Sequence, residues 1–241
     1  MKVRLWTRDE VIVAMGLYFT MPFGKMHKGN PRIIEVAGLL GRTPSSLAMK
    51  LTNFASLDPA HQKRGVKGMD RRSGLDEQVW EEFQGRWEEL AEVSGVRLEQ
   101  LEGPGVETER SATRAERTIQ WYFRKVVLAA YQERCCVTGN PVTALLSASH
   151  ILPWAEYPAE RLNPRNGLCL AAHFDKAFDR GLIGFDADLR LIVGKELRGH
   201  RRNDAIEGEF LRRAGQPMLV AERYGPEGEF LAIHRRRFEL D

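Results

Sequence analysis

The chain has 241 residues, 43% of them hydrophobic, and a formal net charge of +3. That length and apolar content suit one or two domains with real cores, and a nearly balanced charge does not by itself select a nucleic-acid partner. Three cysteines, two of them adjacent, make no disulfide framework, which points to a reducing cytoplasm. No apolar run approaches the ~18 residues of a membrane span, and MKVRLWTRDE lacks a signal peptide's apolar core, so no membrane partner is expected.

From the N-terminus, Thr7 and Glu10 form a capping box that opens a helix through Phe19, with Val11, Ala14, Met15 and Tyr18 at helical spacing and Pro22 beyond its end. Asn30-Pro31 predicts an N-cap and first helical residue for PRIIEVAGLLG, with Ile33, Ile34, Ala37 and Leu40 inward. Gly41 supplies a tight turn, and Thr43-Pro44 caps SSLAMKLTNFASL, with Leu47, Leu51 and Phe54 on one face. Two short helices across a glycine turn are helix-turn-helix-like, which would leave Ser45, Ser46, Lys50 and Asn53 on the exposed side to meet a DNA groove. Such helix pairs are also commonplace outside DNA-binding proteins. The next segment, HQKRGVKGMDRR, shifts the balance: Lys63, Arg64, Lys67, Arg71 and Arg72 face one acid, Asp70, in a glycine-containing loop suited to phosphate contacts. Leu75 to Val96 predicts one acidic amphipathic helix, with Val79, Phe83, Trp87 and Leu90 closing the first domain.

The segment LEGPGVETERS has linker composition. The organisation expected is a helical DNA-binding domain over 1–100, a linker over 101–113 and a second domain over 114–241. The second opens with TRAERTIQWYFRKVVLAAYQER, a basic amphipathic helix with Ile119, Tyr122, Val126, Ala129 and Ala130 as candidate core.

The chemistry concentrates between Ser147 and Asp186, which predicts strand, turn, strand and short helix. Hydrolysis of a phosphodiester needs a base for water and a cation for the phosphate and its leaving oxygen. A neutral imidazole, His150, ends the first strand, and imidazole suits the base near pH 7. Asp175 and Asp179 stand four apart on the helix, so both carboxylates project from one face and could meet one hard divalent ion. Asn166 in NPRNG can tie down the loop or orient His150; the plain alternative makes Asn-Gly a hairpin turn. Cys136 and Gly139 stand where a zinc knuckle would carry its first cysteine pair. With no second pair, four ligands cannot be found, so structural zinc is not expected and the cysteines read as small buried residues.

SASHILPW, LNPRNGLCL and HFDKAFDRGLI together resemble the HNH endonucleases, and within them the branch with AxHIxPW and FDxxFDRG motifs described as restriction endonucleases. The resemblance spans Tyr131 to Asp186. It implies an α+β protein: a helical, helix-turn-helix-like N-terminal domain plus a C-terminal ββα-metal nuclease domain. By that resemblance His150 is the general base and Asn166 the positioning asparagine, while Asp175 and Asp179 lie where the helix carries metal ligands, with His173 a further candidate. The cofactor implied is a divalent ion, Mg²⁺ first and Mn²⁺ next, and the partner is DNA. This chain has Ser149 where many members place a ligand directly before the base, and aspartates where the helix often has histidine or asparagine. The metal is then held by the two aspartates and water, or His150 is itself a ligand. The function implied is DNA cleavage in restriction or defence, with modified DNA one substrate class; the alternative is a DNA-binding regulator with an inactive HNH-like domain. One such site cuts one strand, so double-strand cleavage requires a homodimer or repeated encounters. Two later basic clusters, LRGHRR and HRRR, extend a nucleic-acid track.

Overall fold

The computed structural model describes residues 4–66, 73–95, 98 and 114–240. Its contacts divide the chain into two compact units, Met1–Val126 and Val127–Asp241.

The first unit is helical. Helix α1 (Arg8–Phe19) starts at the expected capping box, with Thr7 accepting from the Glu10 amide and the Glu10 carboxylate accepting from the Thr7 amide at 2.9 Å. It is buried almost all round, which suits a central helix better than an amphipathic surface one. Asn30 caps α2 (Pro31–Leu39) and Thr43 caps α3 (Pro44–Leu57), with Gly41 between them at φ +61°. Ile33, Ala37 and Leu40 point inward as expected, but Ile34 is 49% exposed, because a nine-residue helix with one covered side cannot bury adjacent isoleucines. Helix α4 (Pro59–Gln62) follows Asp58, whose carboxylate both caps it and accepts from the Tyr18 hydroxyl at 2.7 Å. Tyr18 sits in an aromatic cluster with Phe19, Phe54 and Trp80.

The single acidic helix expected from Leu75 to Val96 is two pieces. Helix α5 (Gly74–Phe83) ends where Gln84 turns extended and Gly85 takes φ +80°, and α6 (Trp87–Leu90) continues into a π turn, Ala91–Gly95. Gly85 at a left-handed backbone angle is the local stop that apolar periodicity does not show. Gly16 on α1 lets that turn approach, since a Cβ there would stand 2.2 Å from the Ser94 hydroxyl oxygen. Helix α7 (Arg114–Ala130) runs across the division at Val126, with Tyr122, Val126, Ala129 and Ala130 buried.

In the second unit β1 (Leu146–His150) pairs antiparallel with β2 (Gly167–Ala171), His150 opposite Gly167. Helix α8 (Ala172–Asp179) leaves β2 directly and packs on both strands through Phe174, Ala177 and Phe178. A second hairpin, β3 (Ile183–Phe185) with β4 (Leu191–Val193), follows, then α9 (Lys195–Gly199), α10 (Asp204–Glu209) and α11 (Gly228–Phe238). The Cys136 amide donates to the Cys169 carbonyl at 2.7 Å, tying the turn before β1 to β2. All three cysteines are buried and free, and burial pushes the Cys136 thiol up, with Cys135 and Cys169 adding to it.

Candidate nuclease site

The two-strand, one-helix arrangement sets its polar groups by strand register. His150 is the last residue of β1, where the chain leaves the sheet, and it is half-buried. Its Nε2 lies 2.9 Å from the Arg161 carbonyl oxygen. A carbonyl only accepts, so Nε2 carries the proton, and in the neutral ring Nδ1 is the basic nitrogen. The imidazole meets the Trp154 indole edge-on, with centroids 5.4 Å apart. Burial holds the His150 pKa below its ordinary value, against smaller upward pulls from the Arg161 carbonyl and the Asp175 charge. A neutral imidazole at pH 7 follows.

Asn166 is buried in a 3₁₀ turn, Pro164–Asn166, that delivers the chain into β2. Its Oδ1 accepts from the Leu152 amide at 2.7 Å, and its Nδ2 donates to the Leu152 and Glu160 carbonyls at 3.3 and 3.1 Å. The backbone repeats the link, with the Ile151 amide donating to the Asn166 carbonyl at 2.9 Å. Of the two uses expected for this side chain, the structure shows the loop tie. That tie closes the 151–166 excursion, and with it the Arg161 carbonyl that holds His150.

On α8, Asp175 is half-buried and Asp179 exposed. Neither carboxylate makes a hydrogen bond or ion pair with a described residue, and the charge of Asp175 acts on both His150 and Asp179. Asp179 is raised above the usual carboxylate value, first by partial desolvation and then by Asp175, despite Lys176 and Arg180 nearby. His173 faces elsewhere: its Nε2 lies 3.4 Å from a Glu209 carboxylate oxygen, and its ring meets Phe174 and Phe210. The structure therefore places the charge of Asp175 where it acts on both His150 and Asp179, gives Asn166 the loop that carries Arg161, and sets His173 against α10. Ser149 is buried, and its hydroxyl has no hydrogen-bond partner among the described residues. Those residues contain no cluster of three or more His, Cys, Asp or Glu side chains placed to hold a metal ion.

Residues 135–186 match the family model for HNH endonucleases. This segment is similar to the HNH endonucleases. The match includes His150, Asn166, His173, Asp175 and Asp179 and leaves the N-terminal unit outside it. The chain has no detectable match among curated proteins.

Two residues in contact with His150 were not singled out in the sequence, Trp154 and Arg161. The Arg161 Nε donates to the Trp154 carbonyl at 2.9 Å and its guanidinium carbon lies 5.0 Å from the indole centroid. The tryptophan of HILPW was visible, but a cation 7 residues downstream carries no periodic or motif signal.

The N-terminal candidates divide. Ser45 is exposed and Ser46 half-buried, while Lys63 and Arg64 are exposed. Lys67, Arg71 and Arg72 lie outside the described residues. Lys50 and Asn53 correct the expectation of an exposed face: they are only 4% and 7% accessible. Asp76 of α5 draws both inward, accepting from Lys50 Nζ at 2.5 Å and Asn53 Nδ2 at 2.9 Å, and Lys50 also lies over the Trp6 ring. A buried carboxylate needs such partners, and the amphipathic pattern of one helix does not reveal a charge supplied by another.

No helix among the described residues is long and apolar enough to cross a membrane.

Proposed function

We propose that the protein is a divalent-metal-dependent DNA endonuclease in which His150 is the general base. The observation that supports this is the orientation of His150, whose Nε2 donates to the Arg161 carbonyl so that Nδ1 is the basic nitrogen, in the field of Asp175, which like Asp179 makes no hydrogen bond or ion pair with a described residue. In this reading Nδ1 takes the proton of the attacking water, Asn166 keeps the loop closed and Trp154 limits tilting of the ring. Asp175 and Asp179 suit a hard cation that keeps several waters, since Mg²⁺ needs only one or two protein carboxylates. Such an ion, when bound, supplies charge stabilisation for the phosphate and its leaving oxygen. His173, engaged with Glu209, is the weaker candidate ligand.

DNA would be positioned by basic surface on both units: Ser45, Ser46, Lys63 and Arg64, with Lys67, Arg71 and Arg72, on the helix-turn-helix-like side, and the arginines around the nuclease site on the other. A restriction or defence role, against modified or unmodified DNA, is consistent with a DNA-contacting unit joined to a nuclease. Cytoplasmic placement and a homodimer for double-strand cuts belong to the same reading. The buried, unpartnered Ser149 hydroxyl, standing where a ligand is often found, favours the second reading of a DNA-binding regulator with an inactive site.

Plasmid DNA, unmodified and cytosine-methylated, incubated with wild type and with Asp175→Asn in Mg²⁺, Mn²⁺ or EDTA, separates the two. The nuclease reading predicts cutting that requires metal and is lost in Asp175→Asn. Tight binding without cutting of either plasmid under every metal supports the regulator.

A further inference from the structure

The arginines around the nuclease site are mostly committed within the second unit. Arg237 is bound to both oxygens of Glu156 at 2.9 and 2.8 Å, and Arg165 lies 3.6 Å from Glu227. Arg235 donates to the Phe185 carbonyl at 2.6 Å, and Arg198 to that of Val193 at 2.8 Å. Arg161 differs in where it sits. Its Nε is used on the Trp154 carbonyl, as that of Arg198 is on Val193, and neither Nη1 nor Nη2 makes a hydrogen bond or ion pair with any described residue, but of the two it is Arg161 that lies over the indole that also meets His150. The two acids of the same loop are engaged elsewhere, Glu156 by Arg237 and Glu160 by the Asn163 amide at 2.7 Å. Arg161 is therefore a half-buried cation with no ion-pair partner among the described residues, held over an indole, with a planar two-nitrogen edge that matches a phosphate.

Its place gives this fork a purpose. The Arg161 carbonyl fixes His150, and the Trp154 ring that supports the guanidinium is also the ring against His150. Base, platform and cation thus form one closed unit. A cation fixed to the mount of the base can register the nucleic-acid backbone against that base. A freely rotating surface arginine would spend rotamer entropy to do the same.

We propose that Arg161 is a phosphate-binding residue, gripping through Nη1 and Nη2 a backbone phosphate of the DNA strand that lies beside His150. This rests on the nuclease reading for its substrate, and it assigns to the 151–166 loop a binding role as well as a scaffolding one. The contact replaces water on both partners, and the indole beneath the guanidinium strengthens it by partial desolvation.

The test is DNA binding in EDTA, where no cleavage occurs, by the full chain carrying Arg161→Gln or Arg161→Lys. Affinity for a short duplex is measured across salt concentrations, together with KM and kcat in Mg²⁺. Loss of one phosphate contact lowers the slope of log affinity against log salt by about 0.9, and affinity near 0.1 M salt by roughly tenfold. The expectation is that reduced slope for Arg161→Gln with a raised KM, and a slope near wild type for Arg161→Lys, which keeps the charge. An unchanged slope in Arg161→Gln overturns the proposal and leaves Arg161 a brace for His150. An equal loss in both variants also overturns it, because it reports a disturbed loop. Wild type that binds DNA but never cuts refutes the nuclease reading while the slope still judges Arg161; wild type that does not bind DNA refutes both.

Discussion

At the scale of single residues, the imidazole of His150 is set by what its Nε2 must do. Donation to the Arg161 carbonyl fixes the tautomer, and burial lowers the pKa below the ordinary 6.5, more than the carbonyl and Asp175 raise it. A general base works unprotonated, so activity falls as pH drops through its pKa. The acid limb of kcat/KM is therefore expected below pH 6.5, and a pH–rate profile on duplex DNA checks it. Asn166 is the other residue whose loss is specific. Removing its side chain leaves the buried Leu152 amide without its acceptor and frees two carbonyls. Asn166→Ala should cost about 2–3 kcal/mol in urea unfolding. Asn166→Asp should not restore it, because a carboxylate keeps the acceptor but meets the two carbonyls with like partial charge.

At the scale of elements, α8 is held from behind by α11. His234 stacks on Phe178 with centroids 3.8 Å apart, and its Nε2 donates to the Phe178 carbonyl at 3.0 Å. Burial lowers the His234 pKa to about 4, with the Phe178 carbonyl opposing and Arg237 and Arg235 adding. The folded value lies below the unfolded one, so His234 favours the fold above about pH 6.5, and that advantage is lost as pH falls from there towards 4. Its full size is roughly 3 kcal/mol, the linkage equivalent of that shift. His234→Phe should show a smaller fall in urea stability than wild type between pH 6.5 and 4, because a phenyl ring cannot take up the proton. In the first unit, Asp76→Ala strands the buried Lys50 ammonium and should cost about 3–5 kcal/mol, read as a lower thermal midpoint.

These elements differ in how legible they were. The caps at Thr7, Asn30 and Thr43 and the order strand, strand, helix were readable, because each depends on residues within a few positions of one another. The roles given to His150, Asp175 and Asp179 are proposals, but their positions, the first at a strand end and the other two four apart on one helix, were readable for the same reason. The inward turn of Lys50 and Asn53 was not, since Asp76 reaches them from 23 or more residues away. Arg161 was hidden for a related reason: its role depends on an irregular loop whose path is set by Asn166, not by any period.

For the whole molecule, the proposed reading places one site in the segment that matches the HNH endonucleases and assigns DNA contacts to basic residues of both units. A single site cleaves one strand per encounter, so supercoiled plasmid should pass through an open circular form before becoming linear; linear product without that intermediate would indicate paired sites. The central claim is that His150 performs the chemistry and is not required to hold DNA. The most direct measurement is cleavage and binding of one end-labelled duplex by wild type and His150→Ala, in Mg²⁺ for cleavage and in EDTA for binding. The account predicts that His150→Ala loses cleavage by at least ~100-fold, the low end of general-base contributions, while its affinity for the duplex stays within a few-fold of wild type. Cleavage by His150→Ala at the wild-type rate would contradict it.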